Sequence, residues 1–222
     1  MMLRGKQGGI FMNPKQEAMQ RQAQTIIKNL EKRNMEGHYF PAAKECVEYI
    51  LHMIPEGSVV TDGGSMTISD IGLLNEIKKG NYEYIDRLAS KTPQESRITY
   101  SKIVAADYYL MSTNAITIDG ELVNVDGAGN RVACLIHGPQ NVLVIAGMNK
   151  VATDITDAHH RARNLAAPAN VSRLDRNTPC AVTGVCGNCF SPDCICSQIV
   201  ITRRSGIKNR IKVFLIGEEL GY

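Results

Sequence analysis

The 222-residue sequence contains no apolar run approaching the length needed to cross a bilayer. Its opening residues, 1–12, lack the long apolar core of a secretory signal, so they read as a loose tail with Met12 as a candidate start. Charge of one sign is equally scarce. A formal net charge of +3 is too small to argue for nucleic acid or an anionic membrane surface as partner. There is no internal repeat and no low-complexity tract. There is also no Walker loop or GxGxxG fingerprint, and no serine–histidine–acid order or paired carboxylates stand out. What is left by these exclusions is a cytoplasmic globular protein. The apolar fraction of 44% and the charged fraction of 21% are ordinary for such a chain. The length suits one domain, here taken as 13–222, behind the tail.

Periodicity supplies the elements. Asn13-Pro14, with Gln16 as capping-box partner, opens a helix carrying Met19, Ala23, Ile26, Ile27 and Leu30, which Gly37 is expected to end. A second helix is expected over 42–54, a strand over 58–61 and a helix from about 66 to Gly80. Further strands are expected at 82–85 and 108–112, with a helix over 93–105 between them. Asp119-Gly120 turns a hairpin over 115–125. The apolar run 142–146 reads as a central parallel strand. A helix over 153–166 is expected to close at Pro168, and 198–202 and 211–216 read as the last strands. Strands alternating with helices predict an α/β fold, a mostly parallel sheet with helices on both faces. Ligands of such sheets sit beyond the carboxyl ends of the strands. The basic residues Arg203, Arg204, Lys208, Arg210 and Lys212 read as a solvated turn and strand edge.

Five of the seven cysteines fall between 180 and 196. Thiolates are soft ligands that suit zinc or iron–sulfur clusters, and Pro179, Gly184, Gly187 and Pro192 let the backbone curl around an ion. The expected ligands are Cys180, Cys186, Cys189 and Cys196. Cys194 is set aside, because two residues separated by one do not easily serve the same ion. The spacing matches neither a ferredoxin run nor a zinc-ribbon pair, so the cofactor is a [4Fe–4S] iron–sulfur cluster or zinc. Cys46 and Cys134 read as core residues.

The loop Thr61-Asp62-Gly63-Gly64-Ser65-Met66-Thr67 joins an expected strand to an expected helix. Its glycines let backbone N–H groups approach an anion, Ser65 and Thr67 add hydroxyls, and a following helix would add its dipole. Asn114, Asn130, Arg131, Asn149 and Lys150 follow other expected strands and complete a candidate ligand shell, in which Arg131 or Lys150 would meet a carboxylate or phosphate. Turn chemistry explains the Asn and Gly residues equally well. His159 and His160 sit on a helix, one expected to face the core and one solvent. No catalytic base emerges.

Together, Asp62-Gly63-Gly64-Ser65-Met66-Thr67, the run from Ala106 to Ala115, Asp126-Gly127-Ala128-Gly129-Asn130-Arg131, the run from Val144 to Lys150 and the ending Gly217-Glu218-Glu219-Leu220-Gly221-Tyr222 resemble the LUD domain, the lactate utilization protein C-like family. The resemblance spans 13–222. It implies a fold like the glucosamine-phosphate deaminase, ribose-phosphate isomerase and CoA-transferase group, with the loop at Gly63, Gly64, Ser65 and Thr67 facing phosphate or an acyl group. It further implies a part in oxidising L-lactate or a related 2-hydroxy acid to pyruvate beside iron–sulfur subunits. The cysteine segment resembles that of stand-alone members. An independent enzyme or binding protein for a phosphorylated or CoA-linked small molecule, with structural zinc, is the alternative. The expected partners are a small anionic substrate and those iron–sulfur subunits, with a homo-oligomer left open.

Overall fold

The computed structural model describes residues 13–222; the tail expected over 1–12 lies outside the described residues. Along the chain lie α1 (Pro14–Lys32), β1 (Glu36–Phe40), α2 (Ala43–Met53), β2 (Val59–Asp62), α3 (Met66–Asp70), α4 (Leu73–Lys79) and β3 (Glu83–Ile85). Then come α5 (Pro93–Val104), β4 (Tyr108–Met111), β5 (Ala115–Thr117), β6 (Leu122–Asp126), α6 (Asn130–Ile136) and β7 (Asn141–Gly147). The chain closes with β8 (Val151–Ala152), α7 (Ile155–Arg161), α8 (Ala167–Arg173), α9 (Pro179–Thr183), β9 (Gln198–Thr202) and β10 (Ile211–Ile216).

Six strands form a wholly parallel sheet in the order β1-β10-β7-β4-β2-β3. Alternation along its central strands sorts side chains onto two faces. Val142, Val144 and Ala146 join Tyr109 and Met111 under α1, α5 and α6, against Ile26, Leu30, Ile103 and Leu135. Leu143, Ile145 and Leu110 point the other way, against Ile50 of α2, Ile68 of α3 and Leu73 and Ile77 of α4. A strand buried on both faces reads as a continuous apolar run, which is why β7 and β10 are so apolar. Helices thus cover both faces of a parallel sheet, as expected.

A second sheet, β8-β5-β6-β9, is mixed, and β9 belongs to it rather than to the parallel sheet. It packs against α7 and α8 through small side chains, Ala115, Ala158, Ala162 and Ala167. Among the described residues no helix is long and apolar enough to cross a membrane.

Several local expectations are corrected. The capping box at Asn13 and Gln16 is present, but α1 stops at Lys32 and Gly37 lies inside β1, where a Cβ would press on Ile27 and Leu30. The helix expected after Ser65 is two helices, because Gly72 turns into the left-handed region (φ 71°). Pro168 does not end its helix. A π turn over Ala162–Ala166 shifts the hydrogen-bond register, with the Ala167 N–H donating to Ala162 O. That leaves Pro168 in the first turn of α8, where its missing N–H costs nothing. Arg210 is not solvated: it is 8% exposed and donates to the carbonyls of Cys134, Leu135 and Pro139, closing the end of α6. Lys212 lies in β10, an interior strand, so it guards no edge. His159 is half-buried and His160 exposed.

Candidate functional site

The connections leaving β2, β4 and β7, three neighbouring strands, converge at their carboxyl ends. The loop 62–67 comes first. Asp62 holds it by accepting from the Gly64 N–H at 2.6 Å and from the Tyr84 hydroxyl at 2.6 Å. Gly64 sits at φ 72°, and a Cβ there would collide with the Arg87 guanidinium, so the loop and Arg87 lie in contact. The helix it opens, α3, is only five residues long, so the expected dipole is small.

Lys150, just beyond β7, has its Nζ inside. It is 3% exposed and donates to Thr67 Oγ1 at 2.8 Å and Ser112 Oγ at 3.0 Å. Among the described residues no carboxylate lies within ion-pair distance of it. Burial pulls its ammonium down to about 7, helped by the guanidiniums of Arg161 and Arg131 and opposed by Asp70. The C-terminus closes over this pair. Gly221 takes φ 56°, and a Cβ there would stand 2.6 Å from Thr67 Oγ1.

Opposite stands the connection from β6 to α6. Asp126 accepts from the N–H groups of Gly129 and Val132, so the run 126–131 folds as the cap of α6. Arg131 leaves that helix with every terminal N–H committed. Its Nη1 donates to Ser112 O and Asn124 Oδ1, and its Nη2 to Asn114 Oδ1 and Val125 O. Burial lowers its affinity for protons, with Asp126 opposing, yet a guanidinium keeps its charge.

Gly63, Gly64, Ser65, Thr67, Asn114, Asn130, Arg131 and Lys150 all line one cleft of about 470 Å³, within the usual range for ligand sites. Asn149 does not line it; its Oδ1 instead accepts from the Leu220 N–H and helps pin the C-terminus. Sequence reasoning missed Arg87, Ser112, Arg173, Arg176 and Tyr222, which also line the cleft. Arg173 is tied to Asn170 and Tyr222, and Arg176 approaches Asp193 at 3.9 Å. Arg87 is exposed and has no acidic partner among the described residues. No local motif marks it, because it reaches the cleft only through the parallel pairing of β3 beside β2.

The five clustered cysteines are free and line one small apolar cavity with Arg163. Arg163 Nη2 meets Cys186 Sγ at 3.0 Å and Asn188 Oδ1 at 2.9 Å. The Cys196 thiol is pushed up first by burial and then by neighbouring Cys194 and Cys186, with Arg163 opposing and Cys189 adding a smaller push. The donor set therefore fits a thiophilic metal in kind. The arrangement is not that of a closed site: among the described residues no group of three or more His, Cys, Asp or Glu is placed to hold an ion. Cys194 lines the same cavity as the expected ligands, and Cys194 and Ile195 also line the cleft, so one short segment walls both. Cys46 and Cys134 are buried in the core, as expected.

A stability prediction follows from Lys150. The unfolded lysine titrates near 10.5 and the folded one near 7, so between those values the unfolded chain holds the extra proton and stability rises with pH. The penalty is complete only below about pH 6. Lys150→Met removes it, at the loss of two hydrogen bonds of about 1 kcal/mol each. Its melting temperature should exceed that of the unsubstituted protein by several degrees at pH 6, and the gain should shrink by pH 9.5. Equal gains at both values would show that the lysine is not perturbed.

Comparison with known families matches the LUD domain over residues 23–216. Comparison with curated proteins finds no match. Among solved structures, a DUF162 family protein from Deinococcus radiodurans, determined at 1.70 Å, is similar at 12% identity with a TM-score of 0.52. The match covers 91% of this chain and 98% of that one. The eIF2B delta subunit from Chaetomium thermophilum aligns at 16% identity over 52% of this chain and 50% of its own, with a TM-score of 0.36.

Proposed function

Given that the chain belongs to the LUD domain family, a family associated with lactate utilization, we propose that its cleft binds a small 2-hydroxy or 2-oxo acid and that it serves as a component of L-lactate or related 2-hydroxy-acid oxidation to pyruvate. The observation that carries this reading is Arg87, whose guanidinium lines the cleft and is left free for an anion by the described residues. Lys150 on its floor and Arg87 at its side have no acidic partner among the described residues, while Ser65, Thr67 and Ser112 supply hydroxyls. A carboxylate satisfies Arg87 by a bidentate pair, and the hydroxyl or carbonyl of the acid is left for the floor. Oxidation of the 2-hydroxy acid releases two electrons and two protons per molecule, so the reading needs an electron acceptor, a part we assign to iron–sulfur partner subunits taking one electron per cluster.

Cys180, Cys186, Cys189 and Cys196 would hold a [4Fe–4S] cluster or zinc, supplying electron transfer or a structural cross-link respectively. A second reading draws on the size of the cleft, about 470 Å³, and on Arg173 and Arg176 along it. Both suit a phosphorylated or CoA-linked molecule better than a three-carbon acid alone.

Thermal melts separate the two readings. Ligand at a hundred times its Kd stabilises by about 2.7 kcal/mol, a rise of roughly 5–10 °C for a chain of this size. L-lactate or pyruvate is expected to give that rise, and Arg87→Ala to remove most of it. A rise with inorganic phosphate or CoA but with neither acid would transfer the assignment to the second reading. No rise with any of them would sink both.

A further inference from the structure

We infer that Lys150 is a nucleophilic amine that condenses with the carbonyl carbon of a small 2-oxo acid in the cleft. The inference rests on the anionic-ligand reading above and adds a covalent step to it. Its basis is the way the amine is held. Thr67 Oγ1 donates its own proton to Leu220 O at 3.3 Å, and Ser112 Oγ donates its proton to Thr113 O at 3.4 Å. Each hydroxyl therefore has lone pairs for Lys150, and receives an N–H from it at 2.8 and 3.0 Å. Two N–H bonds and the link to Cε use three of the four positions on nitrogen. In the neutral amine the fourth is the lone pair.

A lysine built to hold an anion keeps its charge, and its surroundings reward charge. Here they do the opposite. The group is buried, no carboxylate lies within ion-pair distance of it among the described residues, and the guanidiniums of Arg161 and Arg131 outweigh the opposing Asp70. Desolvation next to another cation is a recognised way of making a lysine nucleophilic. Anion pairing falls instead to Arg87, which is exposed and unpaired among the described residues. The hydroxyls fix the amine in place without neutralising it by charge, which is the preorganisation that attack on a carbonyl needs.

The step balances without an oxidant or reductant. The nitrogen lone pair forms a bond to C2 of the oxo acid, and the carbonyl oxygen takes up a proton. Loss of the amine proton and of water then gives the C=N bond. One water leaves for each imine formed. The imine withdraws electrons from C3, so its hydrogens become exchangeable with solvent.

The test uses the full chain with pyruvate at pH 7.5 and sodium borohydride as trap, followed by peptide mapping. A reduced adduct is expected on the peptide bearing Lys150, at close to one per chain, and it should be missing from Lys150→Met. In deuterated water the methyl hydrogens of pyruvate should exchange with the unsubstituted protein and not with the variant. An adduct spread over exposed lysines, and unchanged by Lys150→Met, would overturn the inference. So would a pyruvate-induced rise in melting temperature with no adduct, and in that case the binding reading survives alone. Neither stabilisation nor adduct would remove both. The mapping on the unsubstituted protein decides the matter even if the variant folds poorly.

Discussion

Arg131→Met is expected to lower the melting temperature by on the order of 10 °C. The side chain leaves α6 and reaches the place where the parallel sheet hands over to the small one. Its Nη1 donates at 3.1 Å to Ser112 O and at 2.7 Å to Asn124 Oδ1. Its Nη2 donates at 3.1 Å to Asn114 Oδ1 and at 2.7 Å to Val125 O. Asp126 lies 3.8 Å from Nε. Methionine fills much of the volume and satisfies none of these acceptors, two of which are backbone carbonyls. Breaking a buried charged network in this way costs about 3–5 kcal/mol, and a chain of this length loses roughly 2–4 °C for each kcal/mol. Arg131→Lys should recover only part, because a single ammonium cannot span acceptors arranged for a fork. A fall of less than about 3 °C for the methionine variant would show that the fork is not the strut between the two sheets.

The commitment of Arg131 also decides which cation meets a ligand. From sequence, Arg131 and Lys150 look interchangeable as anion holders. The fold separates them: one guanidinium is spent on the protein, and one amine rests on hydroxyls. What the sequence could not carry was the meeting of positions 67, 112, 150 and 221, which are far apart in the chain and adjacent only because β2, β4 and β7 are neighbours in the sheet. The strands themselves were legible, since burial on both faces leaves no polar alternation in 142–146. The loop 62–67 and the hairpin around Asp119-Gly120 were legible from turn chemistry. The helix α6 was not. Its approach through Gly127 and Gly129 has the composition of a loop, and its N-terminal N–H groups are satisfied by Asp126, four residues before it begins. The continuation of the chain through Pro168 was hidden for a related reason. A proline is a helix stop only where the register demands its N–H, and the π turn removes that demand.

The second large effect is expected at the cysteines. Protein purified without oxygen should carry metal: about four irons per chain and a brown colour for a cubane cluster, or one zinc and no colour. Single Cys→Ser changes at 180, 186, 189 and 196 should each abolish stoichiometric metal, whereas Cys194→Ser should keep it. The reason for excluding Cys194 is its spacing from Cys196, although both line the same cavity. If Cys194→Ser empties the site and one of the other four does not, the ligand choice is wrong and the metal claim stands. If the native protein holds neither metal and all five thiols react freely, the claim itself falls. The consequences should extend beyond the segment. In zinc-finger peptides structural zinc contributes about 10–16 kcal/mol, and here Cys194 and Ile195 wall both the thiol cavity and the cleft. Loss of metal should therefore loosen one side of the ligand site while Lys150, Thr67 and Ser112, fixed to the parallel sheet, stay in place. The measurable sign is a fall in the melting-temperature rise given by pyruvate, with formation of the Lys150 adduct retained at saturating pyruvate. Ligand stabilisation unchanged by metal removal would show that the two cavities share a wall and nothing more.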